Sequence, residues 1–134
     1  MRIVKFKNFN TNKLKKLVKN HLGNTDLKQG YVLLDNNNIK GYTILLPQEK
    51  SNIIKIDWIY AEPGYGTLFL KRVENSLFKN YNKIILNVSI DPNEDKNTVM
   101  RRINFYIKNN YRVYDIKYRK KYGPLLNMYK SIDK

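Results

Sequence analysis

The chain has 134 residues, the length of one ordinary domain, so a single domain spanning 1–134 is expected. Hydrophobic residues make up 42% and aromatics 13%, which is enough for one core and excludes general disorder despite a net charge of +15. No apolar run approaches the roughly 18 residues of a membrane span, and the absence of cysteine excludes disulfides, zinc–thiolate centres, iron–sulfur clusters and thiol nucleophiles.

In chain order, residues 2–6 read as a short strand. Thr11 is a plausible N-cap, and Leu14, Leu17 and Val18 follow at helical spacing with Lys13, Lys15, Lys16 and Lys19 on the other face. Gly23 ends that helix, because glycine tolerates the positive φ common just past a helix. The only histidine, His21, lies late in this Lys-rich helix and reads as a surface residue; one imidazole makes no multi-histidine metal site, and none is expected. Residues 31–34 and 39–46 are strands joined through Asp35-Asn36-Asn37-Asn38, residues that accept left-handed turns. Residues 53–60 form a third, strongly β-branched and aromatic strand. A glycine turn, Pro63-Gly64-Tyr65-Gly66, leads into a helix over 67–79 with Leu68, Phe69, Leu70, Val73 and Leu77 on its apolar side. A buried strand over 83–90, a capped polar turn at 91–95 and a helix over 96–109 follow, the last carrying Val99, Ile103, Tyr106 and Ile107 inward. Residues 111–114 are a strand, 117–123 a basic loop and 125–132 the last strand.

The early hairpins imply an antiparallel half, and the strand–helix–strand passage over 53–90 implies a parallel crossover. The expected fold is therefore α/β (α+β): a mixed central sheet of about seven strands with helices on both faces. Two glycines alternate where strand 53–60 hands over to a helix. There the first-turn N–H groups lack intrahelical partners and the helix dipole adds partial positive charge, a combination suited to a pyrophosphate. A tight turn without a ligand explains the same glycines.

The segment from Ile56 to Leu70, with Ala61-Glu62-Pro63-Gly64-Tyr65-Gly66 at its centre, resembles the acetyl-CoA motif of the GNAT superfamily of N-acetyltransferases, a strand followed by Gln/Arg-x-x-Gly-x-Gly/Ala and a helix. Asn104 to Tyr111 resembles the same family's helix ending in an aromatic-Tyr-x-x-x-Gly-Phe pattern, and the element order matches over roughly residues 2–132. The chain departs from the pattern in three places: Ala61 stands at the Gln/Arg position, Asn110 at the glycine, and Asn97 lies two residues before the position of a customary Asn, which here is Val99.

The resemblance implies acetyl-CoA as cosubstrate and no metal. It implies a V-shaped opening between splayed parallel strands, here 53–60 and 83–90. Backbone groups of Trp58, Ile59 and Tyr60 would pair with the pantetheine arm, and the N–H groups of Gly64, Tyr65, Gly66 and Thr67, with Asn97 further on, would bind the cofactor. It also implies direct attack of an amine on the thioester, with Tyr106 as general acid; a core aromatic on an apolar helix face explains Tyr106 as well. Asp57 is the best candidate base, with a salt bridge to a lysine as the alternative, and Glu62 is a weaker second. The implied partner is an amine-bearing acceptor, protein or small molecule, for a cytoplasmic enzyme acting as monomer or homodimer, with pairing through strand 125–132 as one route, and with no membrane contact. Two rival readings stay open: a fold of this kind without turnover, and a nucleic-acid-binding module built on Tyr118-Arg119-Lys120-Lys121-Tyr122, where aromatics alternate with cations. A solvated loop between two strands explains the same residues, and the resemblance implies that this region lines the acceptor side of the cleft, where it would recognise an acidic surface on a protein substrate.

Overall fold

The computed structural model describes residues 1–9, 11–25, 29–50 and 52–132. The elements are β1 (Arg2–Lys5), α1 (Asn12–Leu22), β2 (Gly30–Asp35), β3 (Asn38–Pro47), β4 (Ile53–Ala61), α2 (Gly66–Leu77), β5 (Lys83–Ser89), α3 (Lys96–Lys108), β6 (Arg112–Lys117) and β7 (Leu125–Ser131). The strands form one seven-stranded mixed sheet in the order β1-β2-β3-β4-β5-β7-β6. The chain divides into two compact units, residues 1–46 with 56–76 and residues 47–55 with 77–134.

In the first unit, β1, β2 and β3 form an antiparallel meander. Asn36 and Asn37 turn the β2–β3 hairpin with φ of 50° and 69°, the left-handed pair that a two-residue hairpin requires. The first strand is shorter than expected: it ends at Lys5, and Phe6 enters a 3-10 turn (Phe6–Asn8) that drops its ring into the core. The Thr11 hydroxyl accepts from the Leu14 N–H at 3.3 Å, capping α1, and Leu14 and Val18 are buried against Val32, Leu34, Tyr42 and Ile44. Trp58 and Tyr60 of β4 pack against the same cluster. His21 is exposed, as expected, and it also makes contacts. Its Nδ1 lies 2.9 Å from the Tyr42 hydroxyl, and its ring lies 4.4 Å from that of Tyr60. The Trp58 indole N–H donates to the same hydroxyl at 3.0 Å. That satisfies the polar atom of a fully buried phenol, whose pKa burial pushes up. Across the sheet, Gly41 admits α2: a Cβ there would meet the Tyr60 carbonyl at 2.6 Å and the Phe69 ring at 3.0 Å.

In the second unit, β7 pairs antiparallel with β5 on one side and β6 on the other. Both edges of β7 are filled, so pairing to another chain through 125–132 is corrected: the free edge here belongs to β6. Strand β6 also runs on to Lys117, beyond the expected 111–114, because its ladder with β7 continues to Lys117 opposite Leu125. Helix α3 buries Val99, Ile103 and Tyr106, whereas Ile107 is 51% exposed and not inward as expected. The inward set is spaced four and three residues apart, and Ile107, one residue past Tyr106 and so turned about 100° from it, lies at the edge of that stripe.

Candidate functional site

The loop after β4 is built from its own backbone and pinned by side chains. The Tyr65 N–H donates to the Glu62 carbonyl at 3.0 Å, closing a turn in which Gly64 takes φ of +90°. A Cβ at Gly64 would meet nothing within 4 Å, so glycine is required there for its conformation and not for room inside the fold. The Glu62 N–H donates to the Lys40 carbonyl at 2.8 Å, and the Lys40 ammonium lies 3.2 Å from the Glu62 carboxylate. The hydrogen bond to Glu62 and its charge hold Lys40 above its usual pKa. The Tyr65 hydroxyl donates to Asp35 at 3.2 Å. Two ties to the β2–β3 hairpin thus fix where α2 begins.

What α2 presents there is backbone. The Phe69 N–H is bonded to the Tyr65 carbonyl at 2.9 Å, which closes the first turn. Gly66, Thr67 and Leu68 occupy that turn, where N–H groups have no intrahelical acceptor and the dipole is positive. Gly64 and Thr67 are exposed and Gly66 half-exposed. Tyr65 differs from the expected set, because its N–H serves the turn; Leu68 was not anticipated and stands where a fourth donor would. An anion of pyrophosphate size suits this turn by charge and by donor type, and Gly64 and Gly66 put no Cβ in its way. Of the two helical cations, the Arg72 guanidinium donates to the Met1 carbonyl at 2.9 Å, while Lys71 is exposed.

On β4, the Trp58 carbonyl accepts from the buried Thr43 hydroxyl at 2.7 Å, which occupies one of its lone pairs. Ile59 and Tyr60 are half-buried. Asp57 is exposed on the face opposite Trp58, as strand alternation requires. Glu62, the second candidate base, is engaged by Lys40, a tie that no local spacing signals because 22 residues separate the two.

In the second unit, Tyr106 lies in the last turn of α3. Asn110 adopts φ of +71°, so the chain reverses there without glycine. The Tyr111 N–H donates to the Tyr106 carbonyl at 3.0 Å and the Asn110 N–H to the Ile107 carbonyl at 3.0 Å, a Schellman closure. The contact that accompanies such a closure is Tyr106 against Tyr111, ring centroids 5.7 Å apart. Phe105 meets Tyr106 edge-on at 5.3 Å. Burial pushes the Tyr106 phenol up to about 12, with Arg102 opposing weakly. Arg102 itself is held by a two-pronged contact to Glu94, the shorter bond 2.8 Å. Asn97 is exposed in the first turn of α3, where its carbonyl accepts from Arg101 at 3.3 Å. Among the described residues there is no group of three or more acidic or histidine side chains that could hold a metal.

The order of elements and the order of strands in the sheet match the fold of the GNAT acetyltransferases. Among solved structures, the chain is similar to the aminoglycoside 6'-N-acetyltransferase from Enterococcus faecium, with 14% identity and a TM-score of 0.76 over 100% of this chain and 99% of that one. It is similar to an aminoglycoside 6'-N-acetyltransferase complexed with coenzyme A, with 15% identity and a TM-score of 0.75 over the same shares. A curated N-acetyltransferase of Acanthamoeba polyphaga mimivirus, itself uncharacterised, is 29% identical over 97 residues, covering 70% of this chain. The match spans 23% of that viral protein's length, so the chain corresponds to about a quarter of it. No protein-family model matches the chain.

Proposed function

We propose that the chain is an acetyl-CoA-dependent N-acetyltransferase that moves the acetyl group to an amine acceptor, protein or small molecule. Treating residues 1–134 as a single catalytic domain is part of this proposal. The observation that carries it is the exposed first turn of α2 behind a pinned glycine bend, on a fold shared with a coenzyme A-bound acetyltransferase. In this reading the N–H groups of Gly64, Gly66, Thr67 and Leu68 hold the diphosphate. Trp58, Ile59 and Tyr60 supply strand backbone to the pantetheine arm, and Asn97 adds a polar side chain.

Acetyl-CoA supplies a thioester carbonyl that a neutral amine can attack. Asp57, exposed on β4, takes the amine proton directly or through water. Tyr106, which matches the family's acid, is assigned to the departing sulfur. Its phenol stays protonated through the neutral range because burial raises its pKa to about 12. A thiol ionises near 8.5, so complete transfer from Tyr106 to a thiolate is uphill by roughly 3.5 pKa units, or about 5 kcal/mol. Tyr106 therefore stabilises the thiolate as a hydrogen-bond donor while the sulfur leaves, and solvent supplies the proton afterwards.

A thermal-shift titration with acetyl-CoA, coenzyme A and ATP tests the class. Stabilisation by the first two, reaching about 2.7 kcal/mol at a hundredfold excess over Kd, is expected, with little from ATP. Equal shifts from all three would reduce the site to a general anion cradle. Ala61 brings no polar group to the position where the family has Gln or Arg, and this favours one alternative, the same fold without turnover. Ligand stabilisation with no release of free thiol on a panel of amines would select that alternative.

A further inference from the structure

Among the described residues of the second unit, no helix covers one face of the sheet. Ile84, Leu86, Val88 and Met128 are buried on the α3 side. The opposite face follows from register: Ile85 beside Tyr129, Asn87 beside Asn127 and Ser89 beside Leu125 on β5 and β7, with Asp115 and Lys117 of β6 beyond them. None of these residues is buried. Asn87 donates to the Asn127 side-chain oxygen, and Asn127 donates to Asp115 at 3.4 Å, a polar chain across three strands. At one end lies a groove of about 700 Å³ walled by Tyr114, Tyr129, Lys50 and Lys83, with Glu49 as the one carboxylate in its lining. The two tyrosine rings meet edge-on at 5.9 Å, and the Lys83 ammonium sits 5.3 Å from the Tyr129 centroid.

The β6–β7 loop continues the same chemistry. Tyr114, Tyr118 and Tyr122 are 55%, 79% and 52% exposed. Residues 112–122 hold Arg112, Lys117, Arg119, Lys120 and Lys121 against one carboxylate, Asp115. The loop is held in shape by Arg119, whose guanidinium donates to the Gly123 carbonyl at 2.9 Å, the Ser89 hydroxyl at 2.7 Å and the Tyr122 carbonyl at 3.1 Å. The Lys121 ammonium lies 5.6 Å from the Tyr122 ring centre.

We infer that this face and its loop bind single-stranded nucleic acid. The cations match a phosphate chain and the exposed rings match unstacked bases. The asparagine chain offers donors and acceptors to base edges. An acidic peptide would satisfy the lysines but leave the exposed rings of Tyr114 and Tyr118 without a role, and a paired duplex keeps its bases out of their reach.

The test is fluorescence anisotropy of a short labelled oligothymidine with the full chain as salt is raised. Affinity should fall steeply with salt, and Tyr118→Ala and Tyr114→Ala should each weaken binding by roughly tenfold, in line with the loss of one stacked base. Tyr118→Phe should bind like the parent, and Lys120→Glu with Lys121→Glu should weaken binding further. Melting curves for each variant confirm that the fold is kept, as the exposure of Tyr118 predicts. Polyglutamate displacing the oligonucleotide at equal charge would overturn the inference in favour of an acidic protein partner. Unchanged affinity in Tyr118→Ala and Tyr114→Ala, or equal affinity for a duplex, would overturn it outright.

Discussion

Two side chains in the second unit show how burial and backbone conformation set chemistry. Tyr106 is buried among aromatic rings, and removing its hydroxyl while keeping the ring preserves those contacts. In Tyr106→Phe, acetyl transfer should fall by about a hundredfold or more in kcat, with the melting temperature nearly unchanged. An unchanged rate would remove Tyr106 from the reaction. Its folded pKa of about 12 lies above the unfolded value near 10. The folded state therefore binds this proton more tightly, so the contribution to stability is complete below pH 10 and is lost as pH rises through 12. Denaturant titrations between pH 9 and 11 should show stability beginning to fall in the parent but less so in Tyr106→Phe. Asn110 makes a backbone counterpart. Because its φ is +71°, Asn110→Ala should cost about 1 kcal/mol, while Asn110→Gly should be close to neutral, read from urea midpoints.

At the scale of elements, the bend before α2 separates conformation from packing. Gly64→Ala meets no neighbour, so its cost is the strain of a side chain at φ of +90°, about 1 kcal/mol. Gly41→Ala meets the Tyr60 carbonyl and the Phe69 ring and should destabilise by several kcal/mol, within the range of overpacked cores. Differential scanning calorimetry of the two variants checks that order; a milder Gly41→Ala would refute the packing of α2 on β3. The elements themselves were legible because their signals are local: β-branched runs for β4 and β5, Thr11 before an apolar stripe, paired asparagines at a hairpin. Asn110 was legible too, since only a residue tolerant of the left-handed region fits after α3. What escaped the sequence depends on partners far along the chain. Nothing near Tyr65 announces that Asp35 will receive its hydroxyl, and nothing near Glu62 announces Lys40. The sequence does not reveal that the Tyr65 N–H serves its own turn, because that turn is a matter of dihedral angles. The extension of β6 to Lys117 comes from β7, which follows it in the chain.

For the molecule as a whole, charge is the dominant fact. A net charge of +15 over 134 residues opposes folding through self-repulsion, and salt weakens that repulsion, since the screening length is about 10 Å at 0.1 M. The melting temperature should therefore rise as sodium chloride goes from a few millimolar to physiological strength, before any ligand is added. A flat or falling curve would mean that local ion pairs such as Arg102–Glu94 outweigh the global repulsion. No helix among the described residues is long and apolar enough to cross a membrane. The same excess of cations biases the protein toward anionic ligands at both of its proposed surfaces, so binding experiments at each need matched ionic strength.

The tethered guanidinium in the β6–β7 loop has a consequence for limited digestion. A trypsin-like protease must draw a basic side chain into its specificity pocket, and the three bonds that hold Arg119 to Gly123, Ser89 and Tyr122 oppose that withdrawal. Nicking of the native chain should begin after Lys120 or Lys121, both exposed, and fragments ending at Arg119 should accumulate only once the loop has been opened.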